Sequence, residues 1–279
     1  MLTQKTESRS NKIAVGIVGC GAIGSSLATA IEKEFQKKAH LVGLSDLVRE
    51  RAVRLSRRLK GHPPVLEMDD LVRHSDLVIE TAHASIVPTL LKKVIQKGKN
   101  LFVMSSGGLL GQERLLQKAR QAGCQVSVPS GALFGMDGIK AASFLPIQKA
   151  ILITRKPPQS FEGAPFVLRH RISLRGLRRE KLLFRGNVKE AVKAFPQNIN
   201  VAATLVLSGL PPQKFEVRII ADPKARRNSH EVTLHGPLGT LCAYAENVPS
   251  RTNPKTSRLA IFSALATLKA LFDPVRVGT

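Results

Sequence analysis

A glycine-rich turn between a strand pattern and a helix pattern constrains the fold of this chain more than any other feature of its sequence. Residues 13–18, IAVGIV, form a short β-branched apolar run, and the letters GCGAIG follow directly. Ile23, Leu27, Ile31 and Phe35 then recur at the spacing that places apolar side chains on one helix face. The stretch therefore predicts a strand, a tight turn and a helix, which together open a parallel α/β sheet.

The glycines of this turn stand at the positions that a dinucleotide-binding turn requires. Gly19 permits the tight turn, Gly21 lets the backbone approach a pyrophosphate, and Gly24 allows the helix to pack closely on the strand. Ala22 and Ile23 lie between the last two glycines, where the free amides of a helix N-terminus face the phosphates. We expect these five residues to bind the cofactor, and an ordinary turn is the alternative interpretation.

A carboxylate follows at the position where this class of site holds a ribose. Asp46 ends the second strand pattern, residues 39–46, and lies 22 residues after Gly24, so it is placed to accept hydrogen bonds from both ribose hydroxyls of NAD. The alternative is an acid at the start of the next helix. Because Arg49 and Arg51 follow closely, and an arginine there can hold a 2′-phosphate, the sequence predicts NAD or NADP as the cofactor.

Strand and helix patterns alternate through the first half of the chain. The runs DLVIETA (76–82) and NLFVMSS (100–106) supply further strands, separated by helix-like segments. This alternation predicts an α/β fold in which a Rossmann-type, doubly wound parallel sheet spans residues 13–126. The preceding residues, 1–12, are polar and predict a flexible tail.

The pattern changes near residue 127 and predicts a second domain. Between residues 127 and 252, segments such as KAILITR, KFEVRII and HEVTLHG alternate in polarity between proline and glycine punctuation, which predicts an α+β domain with a mixed or antiparallel sheet. The last pattern, residues 253–272, is an amphipathic helix started by Pro254 and the hydroxyls that follow it. We expect that helix to pack back on the first domain.

The composition of the chain limits the kinds of partner that it is expected to bind. The net charge is +23, from 43 Lys+Arg against 20 Asp+Glu, whereas aromatic residues make up only 4%. Because base stacking needs aromatic side chains, we interpret the charge as a solvated surface that attracts anions generally, with nucleic-acid binding as the alternative. The three cysteines are far apart and no run reaches the roughly 20 apolar residues of a membrane span. We therefore expect a cytoplasmic protein with neither a metal site nor a membrane segment.

Five segments of the second half occur in an order that resembles one enzyme family. They are VPSGALFGMDGIKAA (128–142), ITRKPP (153–158), FPQNINVAATLVLSG (195–209), ADPKARRNSHEV (221–232) and ENVPSRTNPKTSRLA (246–260). In this order they are similar to the motifs of the L-aspartate dehydrogenase family, and the resemblance runs from the glycine turn to the last helix. It implies an NAD(P)-dependent oxidative deamination of L-aspartate to iminoaspartate. That product hydrolyses to oxaloacetate and ammonia or supplies the biosynthesis of nicotinamide cofactors.

The resemblance also implies roles for three residues. By motif, the catalytic histidine falls on His230 of NSHEV, and cofactor contacts fall on Ala132 of PSGA and Asn200 of NINVAA. A histidine that titrates near neutrality can transfer a proton or activate a water in such a reaction. The pattern alone favours a structural role for His230 and for His235, and only the family motif reverses this for His230. Asn200 is alternatively part of a capped helix start.

L-Aspartate carries two carboxylates, so its site needs cationic or amide donors. The sequence offers these candidates: Arg155, Lys156, Lys255, Thr256 and Ser257. In so basic a chain, the alternative is that the lysines and the arginine are simply solvated. We also expect the chain to form a homo-oligomer, specifically a dimer.

Two other functions stay open at this point. The first is a related NAD(P)-dependent two-domain reductase or dehydrogenase that acts on another dicarboxylic amino or keto acid, since a Rossmann half does not determine the substrate. The second is a cofactor-binding protein without turnover, whose basic surface docks nucleic acid or an acidic partner. The motifs of the second half favour aspartate over the first, and His230, Asn200 and the glycine turn argue against the second.

Overall fold

The computed structural model shows two compact units. It describes residues 12–196, 199–249, 257–275 and 277–278. The first unit contains the residues up to Ala82 together with Thr89–Phe102 and Leu115–Val126. The second unit contains His83–Pro88, Val103–Arg114 and the residues from Ser127 onward.

The first sheet is a five-stranded parallel sheet. In chain order its strands are β1 (Ile13–Val18), β2 (Ala39–Ser45), β3 (Leu77–Glu80), β4 (Asn100–Val103) and β5 (Val126–Ser127). The helices between them are α1 (Ala22–Lys33), α2 (Arg49–Arg58), α3 (Met68–His74), α4 (Val87–Gln96) and α5 (Glu113–Gln121). The strand order is β2-β1-β3-β4-β5, and all four residues of the central strand β3 are buried. Continuous burial is typical of a strand covered on both faces, and the predicted Rossmann-type sheet is confirmed.

The second sheet is mixed, which confirms the other half of the predicted fold class. Its strands are β6 (Lys149–Lys156), β7 (Lys181–Asn187), β8 (Phe215–Ala221), β9 (Asn228–Gly236) and β10 (Gly239–Asn247). The helices of this half are α6 (Met136–Ala142), α7 (Pro165–Arg169), α8 (Val188–Ala194), α9 (Asn200–Leu207) and α10 (Arg258–Phe272). The strand order is β10-β9-β6-β8-β7, in which β6 runs parallel to β8 and antiparallel to β9.

Alternation along β6 divides the second sheet into two faces. Leu152 and Thr154 are buried, whereas the residues between and beside them are partly exposed. The apolar core of this unit lies on the buried face and includes Phe161 and Phe195, which are almost inaccessible to solvent. Because side chains alternate along a strand, Lys156 continues the row of Leu152 and Thr154 at its end.

The last helix begins where its cap is expected. Ser257 is the N-cap of α10, and its hydroxyl accepts a hydrogen bond from the amide of Leu259 at 3.1 Å. Pro254 lies outside the described residues. Contacts group α10 with the second unit, and its packing against the first domain stays a prediction. Within the described part of the chain, every helix falls short, in length or in apolar content, of what a membrane span requires.

Gly24→Ala is expected to destabilise the fold through overpacking. A Cβ at this position would overlap the carbonyl oxygen of Gly19 and lie 2.7 Å from the hydroxyl of Thr81, and such overpacking costs about 1–3 kcal/mol. Urea denaturation measures the change in the free energy of unfolding. The matched control is Gly21→Ala, because a Cβ at Gly21 would meet nothing within 4 Å. Equal stability of the two variants would contradict the packing role of Gly24.

Candidate functional site

The glycine turn leaves an open space lined by backbone amides in front of α1. Gly19 has a φ of +100°, and a Cβ there would lie 2.7 Å from the backbone nitrogen of Ala82, so the position favours glycine. In contrast, the space beside Gly21 is open. The first turn of α1, which contains Ala22 and Ile23, has neither a side-chain cap nor an acidic residue. Free amides beside such a space fit the pyrophosphate of a dinucleotide.

The carboxylate of Asp46 is held beside this turn by two backbone amides. Its Oδ2 accepts a hydrogen bond from the amide of Cys20 at 2.7 Å, and its Oδ1 accepts one from the amide of Val48 at 2.9 Å. Each carboxylate oxygen can accept a further hydrogen bond, and Asp46 is partly exposed. The residues present therefore fit a ribose whose hydroxyls donate to Asp46.

Polar side chains collect at one end of the buried face of the second sheet. Thr154 and Lys156 end β6, Asn228 and His230 begin β9, and Asn247 ends β10. The strand register places His230 opposite Thr154, and Asn247 opposite Asn228. We refer to these five residues as the polar end. Elsewhere this face carries apolar residues of the core.

His230 is buried within the polar end and its ring is held by one hydrogen bond. The residue is only 5% exposed, and its Nδ1 lies 3.0 Å from Oγ1 of Thr154. Burial, followed by the positive charge of Lys156, lowers the pKa of His230 from 6.5 to about 3. The imidazole is therefore neutral near pH 7, and Nε2 is the ring nitrogen left to bond a substrate or a water.

The two adjacent cations that the sequence offered as substrate ligands lie on opposite faces of the sheet. Lys156 is partly buried on the face of His230, and desolvation lowers the pKa of its side chain from 10.5 to about 8. Arg155 lies on the other face, with its guanidinium 3.6 Å from Glu180 and 3.7 Å from Glu231. Of the two, the structure brings only Lys156 to His230.

Arg155 lines an open cavity on the face opposite His230. The cavity has a volume of about 360 Å³, and its lining also includes Lys224, Arg226 and Tyr244. None of its lining residues belongs to the polar end. A role of Arg155 at this cavity would therefore be separate from the chemistry at His230.

Asn200 connects the loop after β4 to the start of α9. The hydroxyl of Ser106 donates to the carbonyl oxygen of Asn200 at 2.9 Å and lies 3.0 Å from Oγ1 of Thr204. The amide of Gly107 donates to Oδ1 of Asn200 at 3.1 Å. Asn200 is exposed and is the first residue of α9, after an N-cap at Ile199 that makes no side-chain capping hydrogen bond. Its Nδ2 group is thus placed to donate to a ligand.

Asn247 links two of the residues that the sequence singled out, although the sequence did not single out Asn247 itself. Its Nδ2 donates to the carbonyl oxygen of Ala132 at 3.1 Å, and its Oδ1 accepts from the hydroxyl of Ser257 at 2.8 Å. The hydroxyl of Ser257 therefore serves the helix start and Asn247 rather than a substrate carboxylate. The other two candidates of that segment, Lys255 and Thr256, lie outside the described residues.

His235 belongs to β9 but not to the polar end. Its Nδ1 lies 3.0 Å from Oγ1 of Thr240 on the neighbouring strand, and alternation places it on the face opposite His230. Across the ranges that the structure describes, no group of three or more His, Cys, Asp or Glu residues is arranged to hold a metal ion.

Two protein-family models match the chain. The model described as Aspartate dehydrogenase, C-terminal, matches residues 137–271, which include the polar end and most of α10. The model described as Homoserine dehydrogenase, NAD binding domain, matches residues 19–129, which include the glycine turn and Asp46. The boundary between the two matches lies close to Ser127, where the longest continuous part of the second unit begins.

Individual relatives match over nearly the full length of both chains. The L-aspartate dehydrogenase of Methanosarcina barkeri is 42% identical over 96% of this chain and 100% of its own length. L-Aspartate dehydrogenase 3 of Bordetella bronchiseptica is 35% identical over 98% of this chain and 100% of its own. The crystal structure of aspartate dehydrogenase from Thermotoga maritima is similar with a TM-score of 0.73 and 25% identity, covering 95% of this chain and 99% of that one.

Burial of His230 predicts a stability that falls on acidification. Between about pH 6.5 and pH 3 the unfolded chain binds a proton on this histidine that the folded chain does not bind, so the free energy of unfolding decreases as the pH falls through this range. His230→Asn is expected to show a smaller loss between about pH 7 and pH 5 in urea denaturation than the parent. His235→Asn is the matched control and should behave as the parent does. An identical loss in His230→Asn and the parent would contradict the desolvation of His230.

Proposed function

The chain belongs to the aspartate dehydrogenase family, and we propose that it catalyses the NAD(P)-dependent oxidative deamination of L-aspartate to iminoaspartate. The observation that carries this proposal is the placement of buried His230 and partly buried Lys156 together at the polar end, within the region that matches the aspartate dehydrogenase model. Removal of a proton from an amino acid requires a positioned base with a free electron pair. The same chain carries a turn that fits a dinucleotide.

We propose that six residues hold the adenosine and pyrophosphate half of the cofactor. Gly19, Gly21, Ala22, Ile23 and Gly24 supply the turn and the helix amides, and Asp46 accepts hydrogen bonds from the ribose. When bound, NAD or NADP accepts a hydride from the α-carbon of the substrate. Arg49, which would have to hold a 2′-phosphate, lies 3.9 Å from Glu67 in an exposed ion pair. Such pairs contribute little, so both cofactors remain compatible with the site.

Asn200 and Ala132 are proposed to contact the nicotinamide half. With Oδ1 of Asn200 engaged by Gly107, its Nδ2 can donate to the oxygen of the carboxamide. The backbone of Ala132 is held by Asn247, which belongs to the polar end. These bonds support a fixed position for both residues before any ligand binds.

His230 is proposed to act as a neutral hydrogen-bonding group. Because its imidazole is neutral near pH 7, its Nε2 can bond the substrate amine or position the water that hydrolyses iminoaspartate. Thr154 fixes the orientation of the ring. A charged imidazolium is disfavoured here by burial and by Lys156.

The match of residues 137–271 to the aspartate dehydrogenase model favours aspartate over another dicarboxylic acid as the substrate. It also favours an enzyme over a binding protein without turnover.

We propose further that the protein is a cytoplasmic homodimer. Support for the compartment comes from three free cysteines, Cys20, Cys124 and Cys242, since thiols persist in reducing compartments. Size-exclusion chromatography with light scattering measures the mass of the protein in solution. A monomeric mass would overturn the proposed dimer.

The purified protein is expected to reduce NAD or NADP when L-aspartate is added. Absorbance of the reduced nicotinamide measures the reaction, with each cofactor assayed separately. L-Glutamate and L-alanine are the matched comparisons, and both should be much poorer substrates. No reduction with aspartate, despite measurable cofactor binding, would contradict the proposed function, and preference for glutamate would move it to the related dehydrogenase.

His230→Ala is expected to reduce turnover by at least about 100-fold, the lower end of what loss of one positioned hydrogen-bonding group at a reacting centre costs. Cofactor affinity should stay close to that of the parent, because the glycine turn and Asp46 are unchanged. His235→Ala is the matched control and should keep the turnover of the parent. Turnover of His230→Ala within a few-fold of the parent, with an intact fold, would exclude the role of His230.

A further inference from the structure

The proton that leaves the substrate needs an acceptor, and His230 is poorly suited to be that acceptor. Hydride can leave the α-carbon only when the substrate nitrogen has a free electron pair, so the ammonium of L-aspartate must first lose a proton. An acceptor works best when its pKa lies near the working pH. The pKa of His230 is about 3, so an imidazolium at this position is a strong acid that returns its proton readily.

Lys156 lies on the same face as His230, but the pKa of its side chain lies much closer to the working pH. It is the last residue of β6, two positions after Thr154, which bonds the ring of His230. Desolvation lowers the pKa of Lys156 to about 8, so roughly a tenth of the side chain is the neutral amine near pH 7. The positive charge of Lys156 also contributes to the low pKa of His230, which indicates that the two groups are close.

We propose that Lys156 is the proton acceptor of the reaction and that His230 stays neutral throughout. This inference rests on the proposed function and names the base within the same site. It assigns Lys156 a role in proton transfer in place of the role of a simple cation for a substrate carboxylate.

The proton and electron balance of the step is complete with the groups already named. An N–H bond of the substrate ammonium breaks, and a new N–H bond forms on Nζ of Lys156. The freed electron pair on nitrogen forms the C=N bond as hydride leaves the α-carbon for the nicotinamide ring, so the substrate loses two electrons and the cofactor gains them. Lys156 then releases its proton to solvent, and the enzyme returns to its starting state.

Among the described residues of the two strands that flank β6, the titratable group opposite this part of its buried face is His230. On β9 the facing residues are His230 and Asn228, and on β8 they are Ile219 and Ala221. Arg155 and its carboxylate partners lie on the other face of the sheet. The two carboxylates of a bound substrate stabilise the ammonium that forms when Lys156 accepts the proton.

The variant Lys156→Arg distinguishes a role of Lys156 as a base from a role as a cation that binds a carboxylate. Arginine keeps the positive charge but does not deprotonate near neutral pH, so a carboxylate ligand would survive this change and a base would not. We expect turnover to fall by about 1,000-fold, with the limb of the pH profile near pH 8 lost. Lys149→Met is the matched control at the other end of β6 and should keep the turnover of the parent. His230→Asn should be slow but should keep that limb.

Two further measurements keep the test decisive if Lys156→Arg folds poorly. In Lys156→Ala, added ethylamine should restore turnover in proportion to its neutral form, whereas a structural role would give no such rescue. In the cofactor-free protein, NMR of ε-¹³C-labelled lysine should show one signal that titrates near pH 8 and is missing from Lys156→Met.

The outcomes distinguish failure of this inference from failure of the proposed function. If the parent oxidises L-aspartate but Lys156→Arg retains turnover within about ten-fold and the same pH profile, or if ethylamine gives no rescue, Lys156 is not the acceptor. A lysine signal for residue 156 that titrates near the usual value of 10.5 would also overturn the inference. If the parent itself does not oxidise aspartate, the proposed function fails first, whatever the NMR titration shows.

Discussion

Desolvation of two basic side chains at the end of one apolar sheet face is the constraint on which the proposed chemistry depends. The face is apolar because it forms the core of the second unit, and that same core removes water from His230 and Lys156. Removing water from a basic group disfavours its charged form. The packing that stabilises the unit therefore also brings a lysine amine into the range where it can accept a proton.

Strand register makes this arrangement possible from residues far apart in the chain. Pairing of β6 with β9 places Thr154 opposite His230, and pairing of β9 with β10 brings Asn247 beside Asn228. Asn247 then reaches Ala132 on one side and Ser257 on the other. A single sheet thereby positions the proposed base, the neutral histidine and a proposed cofactor contact without a metal ligand set among the described residues.

The sequence predicted those parts of the fold whose signals are local. The glycine turn, the strands around it and the mixed second sheet follow from apolar periodicity and from glycine positions, and the structure confirms them. β7 and β10 were not predicted, because β7 lies within a basic run and β10 carries apolar residues on both of its faces, so neither shows a clear alternation of polarity. Arg155 and Lys156 were indistinguishable as neighbouring cations. Strand alternation within a known register is needed to place them on opposite faces of the sheet. Burial is needed to show that Lys156 is the one whose charged form is disfavoured.

Transfer of deuterium from substrate to cofactor is the sharpest test of oxidation at the α-carbon of L-aspartate. L-Aspartate deuterated at the α-carbon would be incubated with the protein and the cofactor that it reduces, and the recovered nicotinamide would be analysed by NMR. Deuterium is expected at C4 of the reduced nicotinamide ring, because hydride leaves the α-carbon directly. Reduced cofactor that carries no deuterium, or recovery of oxidised cofactor alone, would contradict oxidation at the α-carbon.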